Sequence, residues 1–305
     1  MPMGSGMSSG SISDVYALAV LPNGDLVAGG HFTSPAVNIA RWNGSSWSAM
    51  GTGLNNAARA LTVLPSGNIV AGGLFTMAGG SPANYVAQWN GTSWAPLGST
   101  AMHGMDNQVL ALATLSNGDL IAGGLFTIAD GVPANRVARW DGSSWHPLAE
   151  GTSGAIVALQ VMANGDLIAG GAFNTAGNGV QARNIARWDG MSWSTVGSGL
   201  NNTVNAMAQT PSGDLLAGGV FTAAGSTVAP YFARFHFPHI GDLNCDGTIN
   251  NFDIDAFVLA LMDSAQYAVL FPHCDRTDAD ANCDGRIDNF DIDPFVACLV
   301  AGGCP

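Results

Sequence analysis

The first 240 residues alternate short apolar runs with polar turns that contain glycine. Runs such as ALAVL and DLVAGGHF flank an Asn-Gly or Ser-Gly pair, and runs such as NIARW and SWSAMG flank a second pair, Asn-Gly or Asp-Gly. Two-residue turns that need positive φ join the strands of antiparallel hairpins, and these pairs supply it. The pattern therefore predicts four short antiparallel strands in each unit.

The unit occurs five times along the chain. The glycine of the first turn stands at positions 24, 67, 118, 165 and 213, so the period is 43 to 51 residues. A double glycine follows each first turn, and the third strand of each unit ends in Arg-Trp, Gln-Trp or Arg-Phe. Four antiparallel strands in a period of this length are typical of a propeller blade. The double glycine resembles that of kelch repeats, and the resemblance implies a kelch-like β-propeller.

The two ends of the repeat predict the number of blades. The fifth unit stops at YFARFHF without an outer strand, while the N-terminal MPMGSGMSSGSISDVYAL aligns with SAMGTGLNNAARAL of the first unit. The first residues can therefore supply the missing strand, which would close the ring and leave no free edge. We expect five blades over residues 1–238, with a larger propeller as the alternative.

A twelve-residue pattern near the C-terminus occurs twice, as DLNCDGTINNFD and DANCDGRIDNFD, 38 residues apart. Oxygen-bearing side chains alternate at positions 1, 3 and 5, and glycine at position 6 allows a sharp turn, as in a calcium loop of the EF type. We expect two Ca²⁺ ions. The predicted ligands are Asp242, Asn244, Asp246, Thr248, Asn250 and Asp253 in loop one, and Asp280, Asn282, Asp284, Arg286, Asp288 and Asp291 in loop two.

Both loops close with Asp where an EF-hand has Glu, and each precedes a helix-like run, DIDAFVLALM or DIDPFVACLV. This duplicated arrangement resembles a type I dockerin-like module. The resemblance implies a small α-helical calcium-binding domain over residues 239–305 whose helices bind a cohesin-like partner. It also implies that loop positions 10 and 11, Asn251, Phe252, Asn289 and Phe290, help to select that partner. The alternative is that the two Phe side chains are core residues.

Charge and cysteine are both concentrated in this C-terminal part. Residues 241–305 contain twelve Asp and two Arg, so they carry −10 of the total −13. Because neighbouring carboxylates repel, we expect this part to need its cations to fold. All five cysteines also lie there, which favours two disulfides with one thiol left over in an oxidising exterior, or else free or buried thiols.

Composition also limits the partners and the location. Lysine is absent and the net charge is acidic, so nucleic acid is not an expected partner. No apolar run reaches eighteen residues, so no membrane span is expected. The N-terminus has no secretion signal, and we expect an extracellular or cell-surface protein whose signal is not part of this sequence.

The propeller has few carboxylates that turn chemistry does not explain, so no catalytic residue is assigned and a binding role is favoured over an enzyme. The longer connections between strands are expected on one face of the propeller. On that face, the residue three positions before the Arg or Gln of the third strand varies from unit to unit, while its neighbours stay constant. Drift at a solvated loop would explain the same variation. The candidate ligand-binding residues are Asn38, Tyr85, His103, Asp106, Arg136, Asn184 and Tyr231.

The sequence thus predicts a secreted, non-catalytic binding protein. Its propeller would recognise a glycan or protein ligand, and its dockerin-like module would anchor it to a cohesin-like or cell-surface partner. A carbohydrate-active propeller enzyme tethered by the same module is the first alternative. A purely structural protein of a cell-surface layer is the second. The paired tryptophans are expected to pack between blades and not to stack on sugars.

Overall fold

A computed structural model describes residues 6–8, 13–98, 101–210, 213–235, 237, 241–244, 249–271, 274 and 276–301. The chain divides into two compact units, Met1–Met207 with Gly218–Phe232, and Ala208–Ala217 with Ala233–Pro305.

The strands follow the five repeats in order. Repeat one contains β1 (Asp14–Val20), β2 (Leu26–His31), β3 (Ile39–Trp42) and β4 (Trp47–Ala49). Repeat two contains β5 (Ala58–Val63), β6 (Ile69–Gly73), β7 (Met77–Ala78), β8 (Ser81–Pro82), β9 (Val86–Trp89) and β10 (Trp94–Pro96). Repeat three contains β11 (Val109–Thr114), β12 (Leu120–Gly124), β13 (Ile128–Ala129), β14 (Val132–Pro133), β15 (Val137–Trp140) and β16 (Trp145–Pro147). Repeat four contains β17 (Ala155–Val161), β18 (Leu167–Ala172), β19 (Ile185–Trp188) and β20 (Trp193–Thr195). Repeat five contains β21 (Val204–Gln209), β22 (Leu215–Gly219), β23 (Ala223–Ala224), β24 (Thr227–Val228) and β25 (Phe232–Phe235).

These strands confirm the predicted mainly β, five-bladed propeller. Each of the first four repeats forms a four-stranded antiparallel sheet, and the fifth shows three strands, β21, β22 and β25, among the described residues. The sequence did not predict the two-residue hairpins β7–β8, β13–β14 and β23–β24, which lie in the connection between the second and third blade strands. The N-terminal strand predicted to complete the last blade lies largely outside the described residues. Of that segment, Met7 packs against the buried cluster of Phe32, Ala36 and Ala40, and Ser8 forms a bridge with Ser34.

The double glycine allows close approach on both sides of the second strand. A Cβ added at Gly123 would lie 2.5 Å from Ile156 Cγ2 of the next repeat, and one added at Gly124 would lie 2.1 Å from the Gln108 carbonyl oxygen. Both distances are far below van der Waals contact, so a side chain would force the strands apart. The first glycine therefore serves packing between blades and the second serves packing within the blade.

The tryptophan pairs confirm the prediction of packing between blades. In each pair the ring centroids lie 5.3 to 5.4 Å apart. The second Trp is buried in repeats two to four, and its indole N–H donates to a carbonyl of the preceding repeat. These bonds are Trp94 to Met50 (2.8 Å), Trp145 to Leu97 (2.9 Å) and Trp193 to Leu148 (3.1 Å).

The C-terminal part contains three short helices, α1 (Asp253–Met262), α2 (Ser264–Leu270) and α3 (Ile292–Ala301). Two 3₁₀ turns, Arg276–Ala279 and Asn289–Asp291, lie between α2 and α3. Phe257 of α1 stacks on Phe295 of α3, with ring centroids 3.9 Å apart and an interplanar angle of 5°. Tyr267 is buried beside them and donates its hydroxyl to the Leu243 carbonyl (3.0 Å). We call residues 241–301 the helical segment.

Candidate ligand and docking surfaces

The five variable loop residues share one backbone conformation. Asn38, Tyr85, Arg136, Asn184 and Tyr231 all have φ between 60° and 71°. In each case the residue's carbonyl accepts a bond from the second glycine of the repeat, at 2.9 to 3.1 Å. Left-handed backbone at a residue with a side chain is unfavourable by about 1 kcal/mol or more, so these bonds must hold it. The position is thus a structural clamp between the second and third blade strands.

Two of these side chains also form hydrogen bonds to the backbone of neighbouring loops. Asn38 donates to the Leu54 carbonyl (2.8 Å) and accepts from the Phe32 N–H (3.2 Å). Asn184 makes the same two bonds, to Leu200 (2.8 Å) and from Phe173 (3.2 Å). The other three differ, because Tyr85 packs on the core, Arg136 donates to the Leu125 carbonyl and Tyr231 is exposed.

Asp106 occupies a position that holds the connecting hairpin in several repeats. Its carboxylate accepts from the Thr127 N–H (2.7 Å), the Ile128 N–H (2.9 Å) and the Thr127 hydroxyl (2.6 Å). Partial burial would raise the pKa of Asp106, but these hydrogen bonds outweigh it and the pKa is lowered. Asn55 and Asn201 make the equivalent bonds in repeats two and five. His103 stands three residues earlier with φ of 53°, and its carbonyl accepts from the Asn84 N–H (2.9 Å).

A polar cleft of about 280 Å³ lies at this end of repeats three and four. Its lining includes Arg136, Glu150, Ser153 and Thr175. Of the sequence-predicted residues, the structure brings only Arg136 to this cleft. Two further clefts, of about 450 and 380 Å³, lie near the tight turns on either side of Asp119, so clefts are not confined to the long-loop face.

Repeated aspartates have partners that the sequence analysis missed. The Asp after the first turn forms an ion pair with the Arg of the third strand in four repeats. The pairs are Asp25 with Arg41, Asp119 with Arg139, Asp166 with Arg187, and Asp214 with Arg234. Repeat two has Asn68 and Gln88 at these two positions. The joint change of Asp to Asn and Arg to Gln was the signal in the sequence.

The second turns behave as their composition predicts. Asp141 accepts N–H bonds from Ser143 and Ser144 (both 2.8 Å), and Asp189 accepts from Met191 and Ser192 (both 2.8 Å). The backbone bond from the serine three residues ahead is the main cause that lowers the pKa of each carboxyl. These aspartates therefore serve turn formation.

Loop two is described completely and wraps around its acidic residues. Asp280 accepts from the Asp284 N–H (3.1 Å) and the Gly285 N–H (2.8 Å), and Asn282 Oδ1 accepts from the Asp284 N–H (2.9 Å). Asp291 is fully buried and accepts from the Asn282 N–H (3.1 Å) and the Asp288 N–H (2.9 Å). Its carboxylate thus ties the loop to the start of α3.

Loop one also closes with a buried aspartate that accepts bonds from loop N–H groups. Asp253 is fully buried and accepts from the N–H groups of Leu243 (2.8 Å), Asn244 (3.1 Å) and Asn250 (2.9 Å). The predicted ligands Asp246 and Thr248 lie outside the described residues.

The oxygen side chains of loop two fit a hard cation by their chemistry. A carboxylate has about four lone-pair sites, so Asp280 can accept its N–H bonds and still bind a metal ion. Arg286 is itself a cation, so only its backbone carbonyl could be a ligand. As the described side chains stand, no three from His, Cys, Asp or Glu converge on one metal position.

The predicted partner-binding residues are at the surface. Phe252 and Phe290 are each 78% exposed, which excludes the alternative that they are core residues. Asn251 and Asn289 beside them are exposed as well. Each Phe begins a line of exposed apolar residues along one helix face. The α1 stripe is Phe252, Ile254, Val258 and Met262, and the α3 stripe is Phe290, Ile292, Val296 and Val300.

The described cysteines include disulfide-bonded residues and one free thiol. Cys274 and Cys298 are disulfide-bonded, and Cys283 is an exposed free thiol. None of the helices in the described ranges is both long and apolar enough to cross a membrane.

Comparisons with known proteins concern the propeller. The profile of a β-propeller family, described as a domain of unknown function (DUF5122), matches residues 64–90, which lie in repeat two. No curated protein matches this sequence.

Similar solved structures include extracellular propeller proteins. The extracellular domain of a proposed hybrid two component system, BT3049 from B. thetaiotaomicron, has a TM-score of 0.51 at 13% identity, covering 73% of this chain and 28% of that one. The extracellular domain of a proposed one component system, BT4673 from the same organism, has a TM-score of 0.48 at 11% identity, covering 75% and 28%. PorZ, a surface component of the type-IX secretion system of Porphyromonas gingivalis, has a TM-score of 0.45 at 18% identity, covering 76% and 36%. This chain therefore spans 28% of the length of the first two, and the likeness to BT3049 shows the propeller fold alone.

Proposed function

We propose that this protein is a secreted, non-catalytic binding protein in which a kelch-like propeller recognises a ligand and a dockerin-like helical segment anchors it to a cohesin-like partner. The single observation that carries the proposal is the pair of exposed apolar stripes that follow the two acidic loops. The propeller neighbours that are extracellular domains support a binding or sensing role.

The stripes have the geometry of a docking surface. Ile254, Val258 and Met262 are four residues apart, so they lie on one face of α1 while Ala256, Phe257 and Ala260 are buried on the other. The α3 stripe has the same spacing. At the four paired positions the exposed fractions differ by at most four percentage points. Exposed apolar residues grouped in this way favour burial against another protein.

The acidic loops would control this surface through calcium. Asp253, the first residue of α1, and Asp291, directly before α3, close the two loops, and their oxygens accept bonds from loop backbone N–H groups. A cation bound by the loop carboxylates would relieve their mutual repulsion and fix the loops. Bound calcium would therefore order the helices that carry the stripes.

The chemistry of the helical segment supports the proposed location. Disulfides persist in oxidising compartments, and Cys274 and Cys298 are both disulfide-bonded. Calcium-dependent modules of this kind act outside the cell, where calcium is plentiful. We therefore propose that the protein acts at the cell surface or in the extracellular medium.

The test is direct binding of the full chain to a panel of recombinant cohesin domains, measured by biolayer interferometry in calcium and in EDTA. We expect calcium-dependent binding that weakens at least tenfold when Phe252→Ala and Phe290→Ala are combined. Val269→Ala is the matched control, because Val269 is an exposed apolar residue of α2 outside both stripes. Absence of binding to every cohesin, or equal binding by the double variant, would contradict the proposal.

A further inference from the structure

The first strand of each blade has a bulge at the same place. In β1, β5, β11 and β17 the pairing with the second strand shifts by one residue. In β5, β11 and β17 the flanking residues are buried while the extra residue is at least partly exposed. A bulge aims its extra side chain away from the pattern of the strand. The four bulge residues are Tyr16, Arg59, Leu110 and Val157.

The repeat does not fix the chemistry of this position. Tyr, Arg, Leu and Val differ in size, charge and hydrogen bonding, although the flanking residues are small or apolar throughout. Asn205 stands at the equivalent sequence position in repeat five and is exposed. The variable loop residues all make the same backbone hydrogen bond to the second glycine of their repeat. The bulge side chains of repeats one to four have no structural contact in common among the described residues. Variation on a repeated frame therefore points to this position.

The bulge residues of the first two repeats touch. The first strands of successive repeats β1, β5, β11 and β17 pack side by side. The Arg59 guanidinium carbon lies 3.9 Å from the centroid of the Tyr16 ring, which is a cation–π contact. The Tyr16 hydroxyl donates to Asp14 Oδ2 (3.0 Å). Aromatic, cationic and apolar groups thus follow one another along the bulges.

Arg59, in the first strand β5, differs from the arginines of the blades' third strands. Arg41, Arg139, Arg187 and Arg234 are neutralised by aspartates of the first turns. For Arg59, the described residues include no carboxylate within ion-pair distance, and its buried Nε has no hydrogen-bond partner among them. Its side chain is half-buried against Tyr16, so its charge is held in place without a neutralising ion pair.

We propose that the bulge residues Tyr16, Arg59, Leu110 and Val157 form a ligand-contact track, and that Arg59 binds the carboxylate of an organic acid whose remainder is apolar. The proposal rests on the binding role proposed for the propeller and assigns that role a position. A guanidinium presents a planar fork of donors that matches a carboxylate, and stacking on Tyr16 fixes its plane. Leu110 and Val157 would contact the apolar remainder. Asp14 repels an anion at the Tyr16 hydroxyl, which puts the carboxylate on the Arg59 side.

The test compares phenylacetate with its neutral amide, phenylacetamide, as probes of the full chain. Binding is followed by ligand-observed NMR and quantified by titration. We expect phenylacetate to bind at least tenfold more tightly than the amide, and Arg59→Gln to remove that difference. Arg139→Gln is the control, because Arg139 is an arginine of the same propeller in an ion pair with Asp119, and it should keep the preference.

Leu110→Asn provides a second variant that leaves Arg59 in place. It should weaken both probes equally, because it changes the apolar end of the track. The proposal is overturned if phenylacetate does not bind, if the amide binds as well, or if Arg59→Gln and Arg139→Gln behave alike. None of these variants touches the helical segment, so failure here would leave cohesin binding intact and the proposed function standing.

Discussion

Asp106 shows how neighbouring donors determine what one carboxylate does. The three bonds from Thr127 and Ile128 hold the hairpin β13–β14 in place. They also lower the pKa of Asp106, because they stabilise its charged form by more than partial burial destabilises it. A group whose pKa is lower when folded contributes stability above its unfolded pKa of about 4, and that contribution is lost as the pH falls through the folded pKa.

We expect Asp106→Ala to lower the free energy of unfolding by about 1–2 kcal/mol at pH 7, because the two N–H groups and the hydroxyl lose their acceptor. Asp106→Asn should cost less, because Asn55 and Asn201 serve the same role in repeats two and five. The difference between the parent and Asp106→Asn should shrink as the pH falls from 5 to 2. Thermal melts across that range check both statements, and a pH-independent difference would contradict the pKa shift.

At the scale of elements, the double glycine sets how closely blades pack. The first glycine of repeats one to four faces a side chain of the following repeat, as Gly123 faces Ile156. Gly218 is the equivalent residue of repeat five. Among the described residues, the only atom within 4 Å of a Cβ added there is the Tyr231 carbonyl oxygen, at 3.9 Å. On β1, Leu18 is 60% exposed, whereas its equivalents Leu61, Leu112 and Leu159 pack into the joints.

We therefore expect Gly123→Ala to lower the free energy of unfolding by about 1–3 kcal/mol through overpacking, and Gly218→Ala to change it by less than about 0.5 kcal/mol. Denaturant unfolding of the two variants is the measurement. An equal cost would mean that Gly218 also faces a neighbouring side chain in solution, as closure of the ring between the first and last repeats requires.

The sequence predicted the elements better than the roles of side chains. The turn glycines, double glycines and paired tryptophans predict the blades because they are needed for backbone geometry and packing, which repeat with the fold. The roles of the candidate residues Asn38 and Asn184 could not be predicted, because their amides bind backbone groups that only the folded loop brings close. The bulges could not be predicted, because a register shift between strands leaves no fixed residue type. The ion pair of Asp119 with Arg139 could have been predicted, because repeat two replaces both members together, with Asn68 and Gln88.

In the molecule as a whole, the proposed recognition and anchoring functions belong to different parts of the chain. All eight tryptophans precede residue 194, so their fluorescence reports on the propeller. The acidic loops lie after residue 240, where the proposed calcium sites are. Each part has its own buried cluster of apolar residues.

We expect chelation by EDTA to unfold the helical segment and leave the tryptophan-detected melting transition of the propeller unchanged within about 2 °C, because separate cores unfold separately. Far-UV circular dichroism should lose helical signal at the same time. A shift of many degrees in the fluorescence transition would show that the propeller depends on calcium as well.

Calcium titration of the full chain by isothermal calorimetry tests whether the two acidic loops are calcium sites. Loop two offers the carboxylates of Asp280, Asp284, Asp288 and Asp291, whereas loop one has Asn250 where loop two has Asp288, and more ligand charge gives tighter binding. We expect two calcium ions per chain, with Asp284→Ala weakening binding more than Asp246→Ala. The exposed helix residue Asp293, outside both loops, is the matched control, and Asp293→Ala should bind as the parent does. A chain that binds no calcium would contradict the account.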